Sequence, residues 1–189
     1  DEVQSGFGRT GTHLFAIDHF NVTPDIICMA KGIADGFPLG AFTTTEEIAA
    51  AFKPGDHLST FGGNPVSCAA GKANVDFLLE GNLLADVTVK GEKFMADLRN
   101  QLMPKHSIIG DVRGKGLMIG VELIKDAQKT PAGEEAGRIR QICREQGLLI
   151  GVGGVFRNVL RIQPPLVISP EQLDKAIAIL DNALTAVTK

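Results

Sequence analysis

Lys31 is the residue in this sequence best placed to do covalent chemistry. It follows a short apolar run at 25–30 and stands directly before Gly32. An amine at the end of a buried strand loses hydration, and burial favours the neutral form of a lysine, which is the nucleophile. The sequence opens on a carboxylate, Asp1. An amine that condenses with an aldehyde and an acid that keeps a pyridine nitrogen protonated are the groups that a pyridoxal phosphate site needs.

Strands and helices alternate around these two residues. In the first part of the chain we predict a buried strand, a loop and a short helix, at 25–30, 36–40 and 46–52. Asn64 before Pro65 is a strong signal for a helix start, and the pattern continues toward Leu79. Gly81 and Asn82 interrupt the helical pattern, so we place a domain boundary near Gly81.

The second half of the sequence is typical of a separate α+β unit. We predict a tight turn at 111–116 and a capping box at 169–172 that opens the last helix. The predicted helices are 83–102, 134–146 and 170–187. The predicted strands are 117–124, 148–150 and 159–162.

The composition is that of an ordinary soluble globular protein, with 44% apolar and 22% charged residues among 189. A net charge of −3 argues against a nucleic-acid surface. The three cysteines fit neither a zinc pattern nor a disulfide framework, which favours a reducing, cytoplasmic location. Two of them, Cys28 and Cys68, lie in apolar runs and are predicted to be buried. The four histidines show no pairing typical of a metal site.

Four segments together resemble the class III pyridoxal phosphate-dependent aminotransferases of fold type I. They are DEVQSGFGRTG (1–11), PDIICMAKG (24–32), STFGGNP (59–65) and NVLRIQPPL (158–166). Their order and spacing agree with the family, and the match extends over essentially the whole chain. Two features resemble the alanine–glyoxylate, 4-aminobutyrate and acetylornithine transaminases. One is GRTG at 8–11, which ends the first segment. The other is GG at 153–154 leading to NVLRI at 158–162, which is most similar to the alanine–glyoxylate and ω-amino acid branch. The aminomutases that act on glutamate semialdehyde rank lower.

The resemblance implies an α/β fold. Residues 1–81 would form the C-terminal part of a cofactor-binding large domain with a mostly parallel sheet, and residues 82–189 a small α+β domain. Family members are more than twice this long. We expect the remainder to precede Asp1, where it would supply a phosphate-binding turn and an aromatic residue stacked on the cofactor. The chain contains no Tyr or Trp. We therefore expect the C-terminal half of an enzyme, inactive alone, whose targeting the sequence cannot reveal.

The resemblance also assigns roles to individual residues. Asp1 would pair with the pyridine nitrogen, Val3 would pack under the ring, and Gln4 would hydrogen-bond its phenolic oxygen. Lys31 would form the internal aldimine and then carry the proton between the substrate Cα and the cofactor. Thr60 would donate to the cofactor phosphate of the neighbouring subunit, which implies a homodimer with a shared active site.

Three arginines are candidates for binding anions. By the resemblance, Arg161 would clamp a substrate carboxylate through two parallel hydrogen bonds. We favour structural roles for Arg9 and Arg113. The glycines at 114–116 faintly resemble a dinucleotide fingerprint, but they precede a strand rather than follow one, which argues against NAD binding.

The sequence thus predicts a transaminase that moves an amino group between an amino acid, possibly an ω-amino acid, and a 2-oxo acid through a Lys31 aldimine. Two alternatives stay open. The chain could be a non-catalytic C-terminal fragment or domain that serves association only. The same fold could also carry another pyridoxal phosphate chemistry, such as that of a decarboxylase or an aminomutase.

Overall fold

The computed structural model describes residues 1–188, which divide into two compact units between Asp86 and Val87. The domain boundary near Gly81 stays a prediction. The first unit contains short helical and strand segments in mixed order. They are a 3₁₀ helix (Ala16–Phe20), β1 (Ile26–Met29), a 3₁₀ turn (Lys31–Ile33), β2 (Ala41–Thr44), α1 (Glu46–Ala49) and α2 (Pro65–Leu79). The next helix, α3 (Leu83–Asp97), crosses the division.

Strand β1 is more exposed than its composition predicts. It pairs only with β2, antiparallel, and its side chains alternate between exposed and half-buried. Cys28 and Cys68 are exposed as well. The predictions of a buried strand and of buried cysteines at these positions are therefore wrong for the described residues. The physical reason is that a two-stranded ribbon leaves an edge and much of both faces of each strand open.

The second unit is built on a four-stranded sheet in the order β3-β4-β6-β5, with antiparallel pairing throughout. Its elements are a π-helical turn (Leu98–Leu102), β3 (Ile109–Lys115), β4 (Met118–Leu123), α4 (Gly133–Glu145), β5 (Gly151–Gly153), β6 (Val159–Ile162) and α5 (Pro170–Thr188). The mixed α/β class is confirmed. Every strand pairing within residues 1–188 is antiparallel, so the parallel sheet expected of the large domain is not formed by these residues. None of the helices in this part of the chain has the length and apolar character to cross a bilayer.

Helix starts lie where the sequence places them. The Asn64 side chain accepts a hydrogen bond from the Ser67 N–H at 2.9 Å, and Pro65 is the first helical residue of α2. At α5 the capping box forms, because the Ser169 N–H donates to Gln172 Oε1 at 2.9 Å. These bonds satisfy N–H groups that have no partner within the helix.

The predicted turn at 111–116 is instead part of β3. Val112, 2% exposed, lies opposite Val121, and Arg113 donates to Asp111 at 2.7 Å and to Glu122 at 2.6 Å. The alternation of polar and apolar residues is that of a half-buried strand. The glycines in the segment indicated a turn instead. The turn itself lies at Gly116, whose φ is +53°. The strand predicted at 148–150 is not formed; the next three residues form β5 instead.

The core of the second unit lies between the sheet and its helices. Its largest fully buried side chains come from α3, the π-helical turn, the sheet, α4 and α5, and burying each one stabilises the fold by about 1.5–3 kcal/mol. They include Phe94, Leu98, Leu123, Ile139, Leu160 and Leu180.

Gly91 on α3 packs directly against the turn at Gly116. A Cβ built on Gly91 would collide with the Gly116 carbonyl group. We expect Gly91→Ala to lower the free energy of unfolding by about 3 kcal/mol, because backbone has to move to admit the methyl group. Denaturant unfolding followed by circular dichroism measures this. Gly137→Ala on α4, where a Cβ meets nothing within 4 Å, is the matched control and should be neutral or slightly stabilising. Equal stability of the Gly91 variant and the parent would contradict the contact.

Candidate active site

The first segment of the chain lies against β1 and the turn that contains Lys31. The Glu2 N–H donates to the Cys28 carbonyl at 2.9 Å, three residues before Lys31. Phe7, 6% exposed, covers Gly32 so closely that a Cβ built there would lie 3.2 Å from the Phe7 Cβ. The structure therefore brings the segment that contains Asp1, Val3 and Gln4 to the C-terminal end of β1, beside the Lys31 turn.

Glu2 anchors this segment, and the sequence did not reveal its role. Its buried carboxylate accepts hydrogen bonds from the Ser5 hydroxyl (2.6 Å), the Ile17 N–H (2.8 Å) and the Ala16 N–H (3.1 Å). Burial by itself would raise the pKa of Glu2, but the three hydrogen bonds outweigh burial and hold this pKa below its usual range. No local spacing marks the residue, because two of its partners lie 14 and 15 residues away.

This lowered pKa makes the stability of the anchor depend on pH. Because the pKa of Glu2 is lower in the folded than in the unfolded protein, its ionised form stabilises the fold above the ordinary glutamate pKa of about 4.3. The contribution is lost as the pH falls through the folded value. We expect Glu2→Gln to lower the free energy of unfolding by roughly 2 kcal/mol at pH 7, and the difference from the parent to shrink below about pH 4.3.

Denaturant titrations of the parent and Glu2→Gln between neutral and acidic pH measure this difference. Glu80→Gln is the control, because Glu80 is exposed, and it should follow the parent throughout. A Glu2→Gln penalty that does not change with pH would show that the charge of Glu2 does not act as described.

Asp1 is exposed, and a local hydrogen bond orients its carboxylate. Its Oδ1 accepts from the Val3 N–H at 2.9 Å, and Oδ2 has no hydrogen bond to any described residue. Val3 is half-buried and Gln4 is exposed. One carboxylate oxygen and one side-chain amide thus face outward from the same short segment.

Lys31 adopts a backbone conformation that is rare for a residue with a side chain. Its φ is +46°, in the left-handed region, and its side chain is exposed. The amine makes no hydrogen bond or ion pair with the residues that the structure describes. The desolvation expected from a buried strand is not provided by these residues, because β1 itself is open. What the chain does provide is an unpartnered amine on a sharply turned backbone.

Helix α2 contacts the turn that follows Lys31. The Asn74 amide donates to the Gly32 carbonyl at 2.7 Å and lies 3.4 Å from the Ile33 carbonyl oxygen. A Cβ on Gly71, one helical turn earlier, would lie 2.9 Å from Leu39 Cδ2, so the helix approaches closely here. Sequence reasoning missed both α2 residues, because their partners lie far away in the chain, 42 and 41 residues for the carbonyls that Asn74 binds.

Thr60 lies in the loop that leads into α2, and its side chain is exposed. The loop is shaped by a hydrogen bond from the Gly62 N–H to the Ser59 hydroxyl at 2.9 Å and by Gly63, whose φ of +65° favours glycine. No hydrogen bond joins Thr60 to Lys31 or Asp1 among the described residues.

Arg161 belongs to the second unit and lies on β6, opposite Gly151 of β5. Its side chain extends over two glycines: a Cβ on Gly151 would lie 3.3 Å from Arg161 Nε, and one on Gly153 would lie 2.8 Å from Arg161 Cδ. The guanidinium is exposed and forms no ion pair with a described residue. It is free to bind a carboxylate from outside.

The other two candidate anion-binding arginines, Arg9 and Arg113, lie near carboxylates of the protein itself. Arg113 forms the ion pairs already described for β3. Arg9 is half-buried, and burial lowers its pKa while the nearby Asp35 carboxylate opposes that change. Within residues 1–188 no group of three or more His, Cys, Asp or Glu side chains could hold a metal ion.

The exposed groups of the first unit are of the chemical types that can bind pyridoxal 5′-phosphate. Lys31 offers an unpartnered amine, Asp1 an oriented carboxylate, Gln4 an amide and Thr60 a hydroxyl. An amine that can reach an aldehyde and a carboxylate that can reach a pyridine nitrogen are the two chemical requirements of this cofactor. The first unit thus presents both kinds of group.

The sequence matches the family described as aminotransferase class-III over residues 1–184. The chain therefore belongs to the class III aminotransferase family, as the four sequence segments predict. It is 46% identical over 186 residues to "Alanine--glyoxylate aminotransferase 2 homolog 2, mitochondrial" of Arabidopsis thaliana, a match that covers 98% of this chain and 39% of that protein. It is 45% identical to an acetylornithine aminotransferase of Caldanaerobacter subterraneus, with 99% of this chain and 44% of that protein covered.

Solved structures confirm the fold. The chain superimposes with a TM-score of 0.91 on a phospholyase from Arthrobacter in complex with phosphoethanolamine. The two sequences are 37% identical, and the match covers 98% of this chain and 44% of the phospholyase chain. The type I fold of the pyridoxal phosphate-dependent aminotransferases is thereby confirmed. The chain spans less than half the length of each of these relatives.

Proposed function

We propose that the protein containing this chain is a pyridoxal phosphate-dependent transaminase, which moves an amino group between an amino acid and a 2-oxo acid. The observation that carries this proposal is the class III match over residues 1–184, with Lys31 presented as an unpartnered amine within it. Pyridoxal 5′-phosphate, when bound, supplies an aldehyde that condenses with amines. It also supplies a pyridine ring that withdraws electrons from the substrate Cα bonded to that amine.

Lys31 has two tasks in this proposal. Its amine would hold the cofactor before substrate arrives, and afterwards it would carry a proton from the substrate Cα to C4′ of the cofactor, first as base and then as acid. An amine without an ion-pair partner is available for both tasks. Its place after β1 keeps it beside the segment that contains Asp1.

Asp1, Val3 and Gln4 surround the cofactor ring in this proposal. The Asp1 carboxylate keeps the ring nitrogen protonated, and its orientation by the Val3 N–H supports that role. Gln4 hydrogen-bonds the phenolic oxygen, and Val3 packs under the ring. Thr60 donates to the phosphate held by a second subunit, which makes the protein a homodimer with a shared site. The exposure of Thr60 supports this assignment.

Arg161 binds the substrate carboxylate in this proposal. Its exposed guanidinium has no carboxylate partner among the described residues, and the glycines of β5 leave room along its side chain. The two curated relatives favour alanine with glyoxylate, or acetylornithine, as substrates. Transfer from 4-aminobutyrate or another ω-amino acid is the second choice. A cytoplasmic location also stays a prediction, since the Arabidopsis relative is named mitochondrial.

The test is a screen of amino donors with the full-length protein loaded with pyridoxal 5′-phosphate. Alanine, acetylornithine, ornithine, β-alanine and 4-aminobutyrate are paired with pyruvate, glyoxylate and 2-oxoglutarate, and the product amino acid is measured. We expect transfer for at least one pair with glyoxylate or 2-oxoglutarate. No transfer for any pair, together with no borohydride-reducible link between protein and cofactor, would refute the proposal.

A second activity is favoured by one comparison. The phospholyase that superimposes on this chain was solved with phosphoethanolamine. We therefore also propose to test elimination of phosphate from that compound, which requires proton removal next to the amine but no 2-oxo acid. Phosphate release without an acceptor would favour a lyase over a transaminase. The non-catalytic alternative is not favoured, because the chain's relatives are named as enzymes.

A further inference from the structure

We propose that Asn74 of α2 is a positioning residue for Lys31, a role that deepens the proposed function and rests on it. Asn74 makes no hydrogen bond to Asp1 or to the Lys31 amine. Its amide instead holds the backbone immediately after Lys31, and in this way it fixes the direction in which the amine leaves the turn.

The backbone at Lys31 needs external support. A left-handed φ of +46° is strained for a residue with a Cβ, and such strain persists only where the surroundings impose it. The bonds within the turn are modest. The Ile33 N–H donates to the Ala30 carbonyl at 3.1 Å, and the Lys31 carbonyl accepts from Asp35 at 3.2 Å and from Ala34 at 3.4 Å.

Asn74 supplies the shortest hydrogen bond that this turn makes. Its Nδ2 lies 2.7 Å from the Gly32 carbonyl oxygen and 3.4 Å from that of Ile33, across 42 and 41 residues of sequence. The Gly32 carbonyl belongs to the residue directly after Lys31. Holding it restricts the rotation of the backbone that would otherwise relax the strain.

The position of Asn74 within α2 also indicates this role. Asparagine is a poor helix former, because its side chain competes for backbone hydrogen bonds. Here, in the interior of a 15-residue helix, that side chain bonds to a distant backbone instead. Gly71, on the same face three residues earlier, lets α2 approach closely enough for so short a side chain to reach.

Two variants of the full-length protein test the proposal. Asn74→Ala removes the donor and is a better helix former, so α2 is retained. Asn74→Asp keeps the size of the side chain but places an acceptor against two carbonyl oxygens. Lys72→Ala, on the same helix and exposed, is the control.

The first measurement needs no cofactor. Amide hydrogen exchange of the segment 32–35 should be about tenfold faster in both variants than in the parent, because one hydrogen bond to the turn is lost. The second measurement is the rate at which borohydride traps pyridoxal phosphate on Lys31. Peptide masses quantify the trapped product, and the exposed Lys53 in the same sample is the internal reference. We expect trapping on Lys31 to slow about tenfold in both variants, with Lys53 unchanged.

The kinetic pattern separates positioning from general destabilisation. We expect kcat to fall about tenfold while the KM for the amino donor stays near that of the parent, and thermal unfolding to change little. As the pH falls, the rate of trapping on Lys31 in Asn74→Asp should rise above the rate in Asn74→Ala, because a protonated carboxyl group donates a hydrogen bond again. Lys72→Ala should match the parent in every measurement.

The outcomes also distinguish the two proposals. If trapping in the parent labels residues other than Lys31, the proposed function fails. If Lys31 is labelled in the parent and both Asn74 variants show parental exchange, trapping and kcat, the positioning role of Asn74 is refuted while the proposed function stands.

Discussion

Lys31→Ala should abolish amino transfer by the full-length, cofactor-loaded protein. We expect kcat to fall by at least about 10³-fold, because one side chain serves as both the nucleophile and the acid–base group. The fold should persist, since the amine has no partner among the described residues, and the free energy of unfolding should change by less than about 0.5 kcal/mol. Steady-state product formation and denaturant unfolding measure the two quantities.

Two controls make this result specific to the amine. Lys72→Ala removes another exposed lysine of the same unit and should keep full activity. Adding methylamine to Lys31→Ala should restore part of the activity, because a small free amine can replace the missing base. Undiminished turnover in Lys31→Ala would remove the residue from the mechanism altogether.

Arg161→Ala should mainly weaken the binding of substrates that carry a carboxylate. A charge-assisted pair of hydrogen bonds contributes roughly 1.5–3 kcal/mol, so we expect the KM to rise about 10- to 100-fold with a smaller change in kcat. The structural reason is that the Arg161 guanidinium is exposed and unpaired within the described chain. Initial rates over a range of amino-donor concentrations measure the effect.

Matched substrates and variants sharpen this test. Arg161→Lys should give an intermediate KM, because an ammonium group cannot form two parallel bonds to a carboxylate. An amine without a carboxylate should react at similar rates with the parent and with Arg161→Ala. Arg140→Ala on α4, which also removes an exposed arginine, should leave the KM unchanged. A parental KM in Arg161→Ala would exclude the carboxylate clamp.

The elements that the sequence predicted correctly depend on local signals. Asn64 and Pro65 begin α2, and Ser169 with Gln172 begins α5, because these caps join groups within three residues of each other. Apolar periodicity likewise located β4, β6 and α4. A side chain that bonds to its own neighbourhood can be recognised without knowing the rest of the fold.

The elements that the sequence predicted wrongly depend on distant partners. Segment 111–116 looks like a turn until β4 provides Val121 and Glu122 as cross-strand neighbours. The apolar run at 25–30 looks buried, but burial requires other elements to cover it, and β2 pairs along one edge only. Apolar composition indicates that a segment can be buried, whereas the packing of other elements decides whether it is covered.

The chain's own residues and their order determined its family and the types of group available for chemistry. An amine at position 31, a carboxylate at position 1 and a guanidinium at position 161 are chemical facts of the sequence. Only the tertiary structure decided how they are held. Glu2 anchors the first segment to Ala16 and Ile17, and Asn74 reaches the Gly32 carbonyl across 42 residues. Such contacts follow no period along the chain, because they form only after folding has brought separate segments within hydrogen-bonding distance.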